Sequence, residues 1–181
     1  MTMKKSEPPV VCVVGTSGAG KTTLLEKLIP VLTRRGVRVG TLKHDVHGFE
    51  IDEPGKDSYR HKHAGATISI ISSPRQVAMV MDTDHDLGVG ELLPFYSRVD
   101  IVLAEGYKRE NYPKIEVFRR AVHPAPLCLG DKNLIAVVTD DADALHFSVP
   151  RFMSDEIEGL AEFLLEKFLG SGEEIRQRAK S

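Results

Sequence analysis

Gly15-Thr16-Ser17-Gly18-Ala19-Gly20-Lys21-Thr22 fits the pattern G-x-x-x-x-G-K-[ST] and stands between Val10-Val11-Cys12-Val13-Val14 and Thr22-Thr23-Leu24-Leu25-Glu26-Lys27-Leu28-Ile29. The first flank is a short apolar β-branched run that reads as a buried parallel strand, and the second carries apolar residues at helical spacing. A strand, a glycine-rich turn and a helix in that order form a phosphate-binding loop. Glycines let the backbone wrap an anion without a Cβ in the way, and the helix presents its positive N-terminal end to the phosphates. The pattern assigns the backbone of Thr16, Ser17, Gly18, Ala19, Gly20, Lys21, Thr22 and Thr23 to the phosphates of a nucleoside triphosphate. The Lys21 ammonium is assigned to the β/γ oxygens, facing solvent when no ligand is bound, and the Thr22 hydroxyl to Mg²⁺.

Working outward, Arg34-Arg35-Gly36 gives the first helix a basic last turn and a glycine stop, and Val37 to Leu42 reads as a second strand. Lys43 to Gly55 is a polar loop rich in histidine and acid, broken by Gly48 and Pro54, and it belongs over the carboxyl end of the sheet, where open α/β sheets bind ligands. A short helix is expected over Asp57 to Ala64. Strands over Ala66 to Ile71 and Gln76 to Met81, separated by Ser72-Ser73-Pro74, make an antiparallel hairpin at a sheet edge. Further elements are a helix over Val89 to Tyr96, strands at Ile101 to Ala104, Pro113 to Phe118 and Leu134 to Val138, and a last short strand over Phe147 to Phe152. Ser154-Asp155-Glu156-Ile157 resembles a cap for a closing helix whose apolar face is Ile157, Leu160, Ala161, Leu164, Leu165 and Phe168. The expected fold is α/β, a P-loop NTPase with a mostly parallel sheet flanked by helices. One nucleotide-binding domain spans 1–170, and 171–181 is a disordered tail.

A chain of 181 residues with a formal net charge of −2 supports one core of ordinary size and carries no basic stripe for nucleic acid. Its two cysteines, Cys12 and Cys128, make neither a disulfide framework nor a zinc site and read as buried reduced thiols of a cytoplasmic protein. The polar Met1 to Pro9 lacks an apolar signal core, and no stretch reaches the length of a membrane span. Export and membrane insertion are therefore not expected.

A phosphate loop needs a carboxylate to hold the Mg²⁺ shell, supplied from the end of a neighbouring buried strand. Asp100 and Glu105 bracket the strand at Ile101 to Ala104. If that strand runs parallel to the first, Glu105 arrives beside Thr22 and Asp100 merely opens the strand at the far end. Lys21 and Glu105 are thus the candidate catalytic pair, with Gly106 offering an N–H to a γ-phosphate, and Asp52 and Asp57 read either as further acids near the metal or the attacking water or as turn and helix-cap residues. Thr22, Glu105 and Asp52 make up the candidate metal set. His44, His47, His61 and His63 match no closed zinc spacing and read as solvated loop residues. Lys108, Arg109, Lys114, Arg119 and Arg120 form a basic stretch that reads as a solvated face or as a seat for a second anionic ligand. At Val137-Val138-Thr139-Asp140-Asp141 the lysine of the usual guanine reader is missing, and Asp140 or Asp141 remains to accept from a guanine edge.

These residues resemble a known family, the molybdopterin-guanine dinucleotide biosynthesis adapter protein B of bacteria and archaea. The resemblance covers the phosphate loop through Pro30, then Arg35-Gly36, Leu42-Lys43-His44, Asp52, Pro54 to Tyr59, Ala64-Gly65-Ala66, Asp100 to Lys108, Lys114-Ile115-Glu116 and Ile135-Ala136-Val137. Pro54 to Tyr59 and Glu105 to Lys108 are its more specific parts. It implies a homodimer that binds GTP and Mg²⁺, hydrolyses GTP slowly, and works beside the guanylyltransferase that joins GMP to molybdopterin, with strands shared across the dimer. It also implies that Gly18 to Thr23 hold the phosphates and Mg²⁺, that Glu105 and Gly106 face them, and that Asp52 with Pro54 to Tyr59 lies near the nucleotide or the dimer cleft. Val46 stands where the family often has histidine. Slow hydrolysis also fits Tyr107, which occupies the place where signalling GTPases keep a water-orienting Gln. Two alternatives stay open: a small-molecule kinase using Arg60, Arg119 or Arg120 in a lid, and a non-catalytic metallochaperone or scaffold with metal on the histidines.

Overall fold

The computed structural model of the protein describes residues 7–141 and 147–170. Its strands are β1 (Val10–Val14), β2 (Val39–Lys43), β3 (Ile68–Ser72), β4 (Val77–Met81), β5 (Ile101–Glu105), β6 (Lys114–Val117), β7 (Leu134–Val138) and β8 (Arg151–Phe152). Its α-helices are α1 (Lys21–Arg34), α2 (Asp57–His63), α3 (Val89–Leu92) and α4 (Ile157–Phe168), and a 3₁₀ turn over Leu93–Tyr96 follows α3. The helix expected over Val89 to Tyr96 therefore tightens halfway, where Pro94 enters the first turn of the 3₁₀ segment. The chain divides into two compact units, residues 45–88 and the remainder.

The larger unit is built on six strands in the order β2-β5-β1-β6-β7-β8, and every neighbouring pair is parallel. β1 is buried along its whole length, as a continuous Val-rich run requires when both faces of a parallel sheet are covered. Leu24, Leu25, Leu28, Val31 and Leu32 line the buried stripe of α1 and join Ile157, Leu160, Ala161 and Leu164 of α4 over one face of the sheet. Each such fully buried aliphatic side chain contributes about 1.5–3 kcal/mol. Val10, Cys12, Val14, Val102 and Ala104 point to the other face, against Val89, Leu93 and Phe118. The two thiols are free and buried, and desolvation pushes both up to about 11, so they are protonated at neutral pH.

The glycine stop forms as expected. Gly36 has φ +87°, its N–H donates to Thr33 O, and the Val37 N–H donates to Leu32 O, a Schellman ending. The closing helix begins differently. No side-chain cap bond is made at its start, and it is Glu156 whose carboxylate accepts the Met153 N–H at 2.6 Å; the Ser154 cap is thereby corrected.

The smaller unit holds α2 and the β3–β4 hairpin. The hairpin is antiparallel, with Ile70 opposite Met79 and Ile68 opposite Met81. It forms a two-stranded sheet of its own, which corrects its placement at the edge of the main sheet. Residues 171–181, read from sequence as a disordered tail, lie outside the described residues. Among the described residues no helix is long and apolar enough to cross a membrane.

Candidate functional site at the carboxyl edge of the parallel sheet

Parallel strands end on one side, and β1 hands the chain to the phosphate loop there. Gly15 leaves the strand at φ +145°, in a place where a Cβ would lie 2.4 Å from Val117 O. Only glycine lets the loop pass this close to the end of β6. Gly18 (φ +78°) and Gly20 (φ +103°) complete the turn, with Gly20 the residue before α1. Inside it the Ala19 N–H donates to Thr16 O at 3.2 Å, and the Ala19 methyl is fully buried. Ser17 and Gly18 at the tip are exposed, as is Thr23 on α1.

Lys21 does not face solvent freely. Its Nζ donates to Gly15 O at 3.1 Å and Thr16 O at 2.9 Å, so the ammonium braces the loop's entrance from within. This corrects the picture of a loose cation, and the reason is geometric: tight closure turns two carbonyls toward the helix start, and a lysine there is the nearest donor.

Thr22 and Glu105 are brought together. β1 and β5 pair in parallel with Val13 level with Glu105, so the acid comes out beside the phosphate loop. The Thr22 Oγ1 stands 3.0 Å and 3.1 Å from the two Glu105 carboxylate oxygens, and this hydroxyl donates to the carboxylate across 83 residues of sequence. A hydroxyl and a carboxylate are hard oxygen donors of the kind Mg²⁺ selects. Asp100, at the opposite end of β5, holds Arg38 through both carboxylate oxygens, as a strand-opening residue does.

The Gly106 N–H is not available to a phosphate. It donates to Val13 O at 3.0 Å, because the β1–β5 ladder runs one residue beyond the strand; Gly106 keeps its position next to Glu105 but loses the donor role expected of it. Gly106 has φ +98° and Tyr107 φ +54°. Tyr107 is the one non-glycine residue with positive φ among the described residues, a conformation that costs energy and gathers at functional sites. Its ring lies 4.8 Å from that of His44, and the His44 N–H donates to Glu105 O.

On the other flank of β1 the ends of β6, β7 and β8 build a pocket with α1, lined by Gly20, Thr23, Lys27, Arg119, Thr139, Asp140 and Ser154. Asp140 stands in it with Oδ1 accepting the Ser154 N–H at 2.7 Å. That amide first, and the Arg119 and Lys27 charges after it, hold the carboxyl below its ordinary 3.8. Asp141 accepts the Arg120 N–H at 2.7 Å and so pins the neighbouring loop.

The basic stretch is not one face. Lys114 is 2% exposed and its Nζ reaches Asp131 at 2.7 Å. Sequence reasoning also missed Glu116, 1% exposed, which accepts the Leu127 and Cys128 N–H groups. The signal was the alternation Lys-Ile-Glu-Val in a strand next to β1, which puts both charges on one buried face. Together these contacts clamp 119–131 against the sheet beside the phosphate loop.

Asp52 lies in the smaller unit. Its Oδ1 accepts the Glu53 N–H at 2.9 Å and the Ser58 hydroxyl at 3.1 Å, the pattern of a turn residue ahead of a helix. His63 stacks on Tyr59 at 3.8 Å. Among the described residues no three His, Cys, Asp or Glu side chains form a group that could hold a metal ion.

The family described as Molybdopterin guanine dinucleotide synthesis protein B matches residues 10–140. The chain is 38% identical to the molybdopterin-guanine dinucleotide biosynthesis adapter protein of Escherichia coli (strain K12), over 90% of this chain and 94% of that protein. To the adapter protein of the same description from Haemophilus influenzae it is 40% identical, over 73% and 75%. The crystal structure of Bacillus subtilis MobB superposes with a TM-score of 0.72 at 27% identity, covering 90% of this chain and 99% of that one.

Proposed function

Because the chain belongs to the molybdopterin guanine dinucleotide synthesis protein B family, we propose that it is an adapter in molybdopterin guanine dinucleotide biosynthesis. In this reading it binds GTP and Mg²⁺, hydrolyses GTP slowly, and docks on the guanylyltransferase that joins GMP to molybdopterin. The observation that carries the nucleotide part is the pair Thr22–Glu105, converging at 3.0 Å at the mouth of a loop braced by Lys21. Thr22 and Glu105 would hold Mg²⁺, whose charge, when bound, is set against that of the β- and γ-phosphate oxygens. The loop's backbone N–H groups and α1 orient the phosphates, and Lys21 turns from Gly15 O and Thr16 O to them.

Slow turnover follows from what flanks Glu105. Tyr107 carries no carboxamide to orient water, where signalling GTPases keep a Gln. The chain works as a homodimer, supported by the hairpin. Alternation in β3 and β4 puts Ile68, Ile70, Val77, Met79 and Met81 on one face, each between 38% and 70% exposed. A continuous apolar face of that kind marks an association surface, and a second copy supplies an identical one.

Equilibrium titration with GTP, GDP and ATP in Mg²⁺, with Lys21→Ala alongside, tests the nucleotide reading. Preference for GTP that the variant loses supports it. Preference for ATP, or wild-type affinity in the variant, overturns it.

A further inference from the structure

We propose that Arg119 is a nucleotide ligand supplied in cis, its guanidinium gripping the α-phosphate of the nucleotide whose β-phosphate occupies the Gly15–Thr22 loop. The proposal rests on the nucleotide-binding reading above and deepens it. Three observations carry it. A Cβ placed on Gly20 would meet Arg119 Nη2 at 3.5 Å and Nε at 3.9 Å, so the guanidinium lies against the glycine that opens α1, where backbone N–H groups have no helical partner. Five donors stand there, and among the described residues the Arg119 side chain makes no hydrogen bond or ion pair. The residue is also placed rather than loose. Phe118 N–H ties to Val138 O and the Val122 and His123 N–H groups to Arg119 O, while buried Glu116 holds the far end of the same loop.

Sheet order decides which phosphate it meets. Glu105 and Thr22 lie on the β5 side of β1 and mark the metal end of the phosphate chain. Arg119 leaves β6, on the opposite side of β1. It shares its pocket with Thr23 and Lys27, which lie on one face of α1 with Gly20, and with Thr139 and Asp140 from the end of β7. A phosphate chain that starts at the metal and passes Gly20 brings its α-phosphate to this pocket, with the nucleoside beyond. Asp140 borders the same pocket, and the Arg119 charge beside it offsets that carboxylate's charge at the α-phosphate. An arginine fork also matches two phosphate oxygens at once.

The test compares wild type and Arg119→Ala in binding GTP, GDP and inorganic tripolyphosphate in Mg²⁺, with thermal unfolding as the check on folding. Loss of one charge-assisted contact at a partly solvated site predicts about tenfold weaker binding, by the same factor for GTP, GDP and tripolyphosphate, with Arg119→Lys recovering part of it. Loss confined to GTP would mean a γ-phosphate contact, and unchanged tripolyphosphate binding would mean stacking on the base. Either result, or no loss at all, overturns the proposal. If wild type binds none of the three ligands, it is the nucleotide reading itself that fails.

Discussion

Gly15→Ala gives the sharpest test of how the phosphate loop is seated. The new methyl carbon would sit 2.4 Å from Val117 O and 3.4 Å from Val117 C, at a residue with φ +145°. Relief requires a movement of roughly 1 Å, since overpacked cores yield only by backbone shifts or off-rotamer side chains. Neither partner is free to make it. Val14, just before Gly15, is level with Glu116 in the β1–β6 ladder, and Val117 pairs with Val138 in the β6–β7 ladder. The backbone conformation itself costs about 1–3 kcal/mol for a residue with a Cβ, and the overlap about 1–3 kcal/mol more. The sum, about 2–6 kcal/mol, is a large share of the 5–15 kcal/mol that holds a typical domain together.

Gly36→Ala is the internal control. Gly36 also has positive φ (+87°), but a Cβ there meets nothing within 4 Å, so only the conformational cost remains, about 1 kcal/mol. Urea unfolding followed by circular dichroism measures both variants. Gly15→Ala should lose at least twice what Gly36→Ala loses, and its GDP affinity should fall because the loop can relieve the overlap only by leaving its cradle. If the two variants unfold at the same urea concentration and Gly15→Ala binds GDP like wild type, the contact with Val117 does not seat the loop.

Lys21→Ala should abolish detectable GDP binding in a titration while costing about 1 kcal/mol in urea, the net worth of an ordinary internal hydrogen bond, since the ammonium serves two carbonyls of the loop. The Lys114 hydrogen bond first, and the Asn133 N–H second, hold the Asp131 carboxyl below its usual 3.8. The folded form thus binds its proton less readily than the unfolded chain. The resulting stability is fully present above about pH 4 and is lost as pH falls through the lower folded value, so Asp131→Asn should unfold with a flatter pH dependence below about pH 4, read from urea midpoints. For the hairpin, Ile70→Lys with Met79→Lys puts two like charges on directly opposed residues of the exposed face. Light scattering should then find a monomer that still binds GDP, and an unchanged dimer would place the association surface elsewhere.

What could be read from the chain alone followed the strength of its local signals. β1 and β7 are short apolar runs with turn residues on either side, and α1 has both a periodic stripe and a glycine stop, so their limits were legible to within a few residues. Glu105 was legible through one added assumption, that its strand runs parallel to β1. Failures came where the outcome depends on a distant segment. Whether the hairpin joins the main sheet is decided by a partner strand and not by its own alternation. Lys114 counts as a surface charge until β6 is known to lie beside β1, where its side chain is buried and needs Asp131. The role given to the Gly106 N–H failed for a related reason: hydrogen-bond register passes beyond a strand's last residue, and sequence does not show by how much.

The placement of β1 between β5 and β6 separates two tasks at one loop. From the β5 side come the acid and the hydroxyl, tied directly to each other at 3.0 Å, the pair proposed above to hold Mg²⁺. From the β6 side comes a guanidinium on a loop whose buried anchor, Glu116, lies three residues upstream in the strand itself. A buried carboxylate satisfied by two backbone amides is costly to lose, because its removal leaves both donors without partners in the interior. It is therefore an effective way to fix a loop whose Val122, Leu127 and Leu129 stay exposed. The same construction explains why the basic residues of this stretch have opposite fates. Lys114 is directed into the core to hold the loop's far end through Asp131, whereas Arg119, where the strand emerges, is left at the phosphate loop with its donors unengaged by any described side chain. Two cations five residues apart in one chain thus differ in role because one precedes the end of β6 and the other follows it.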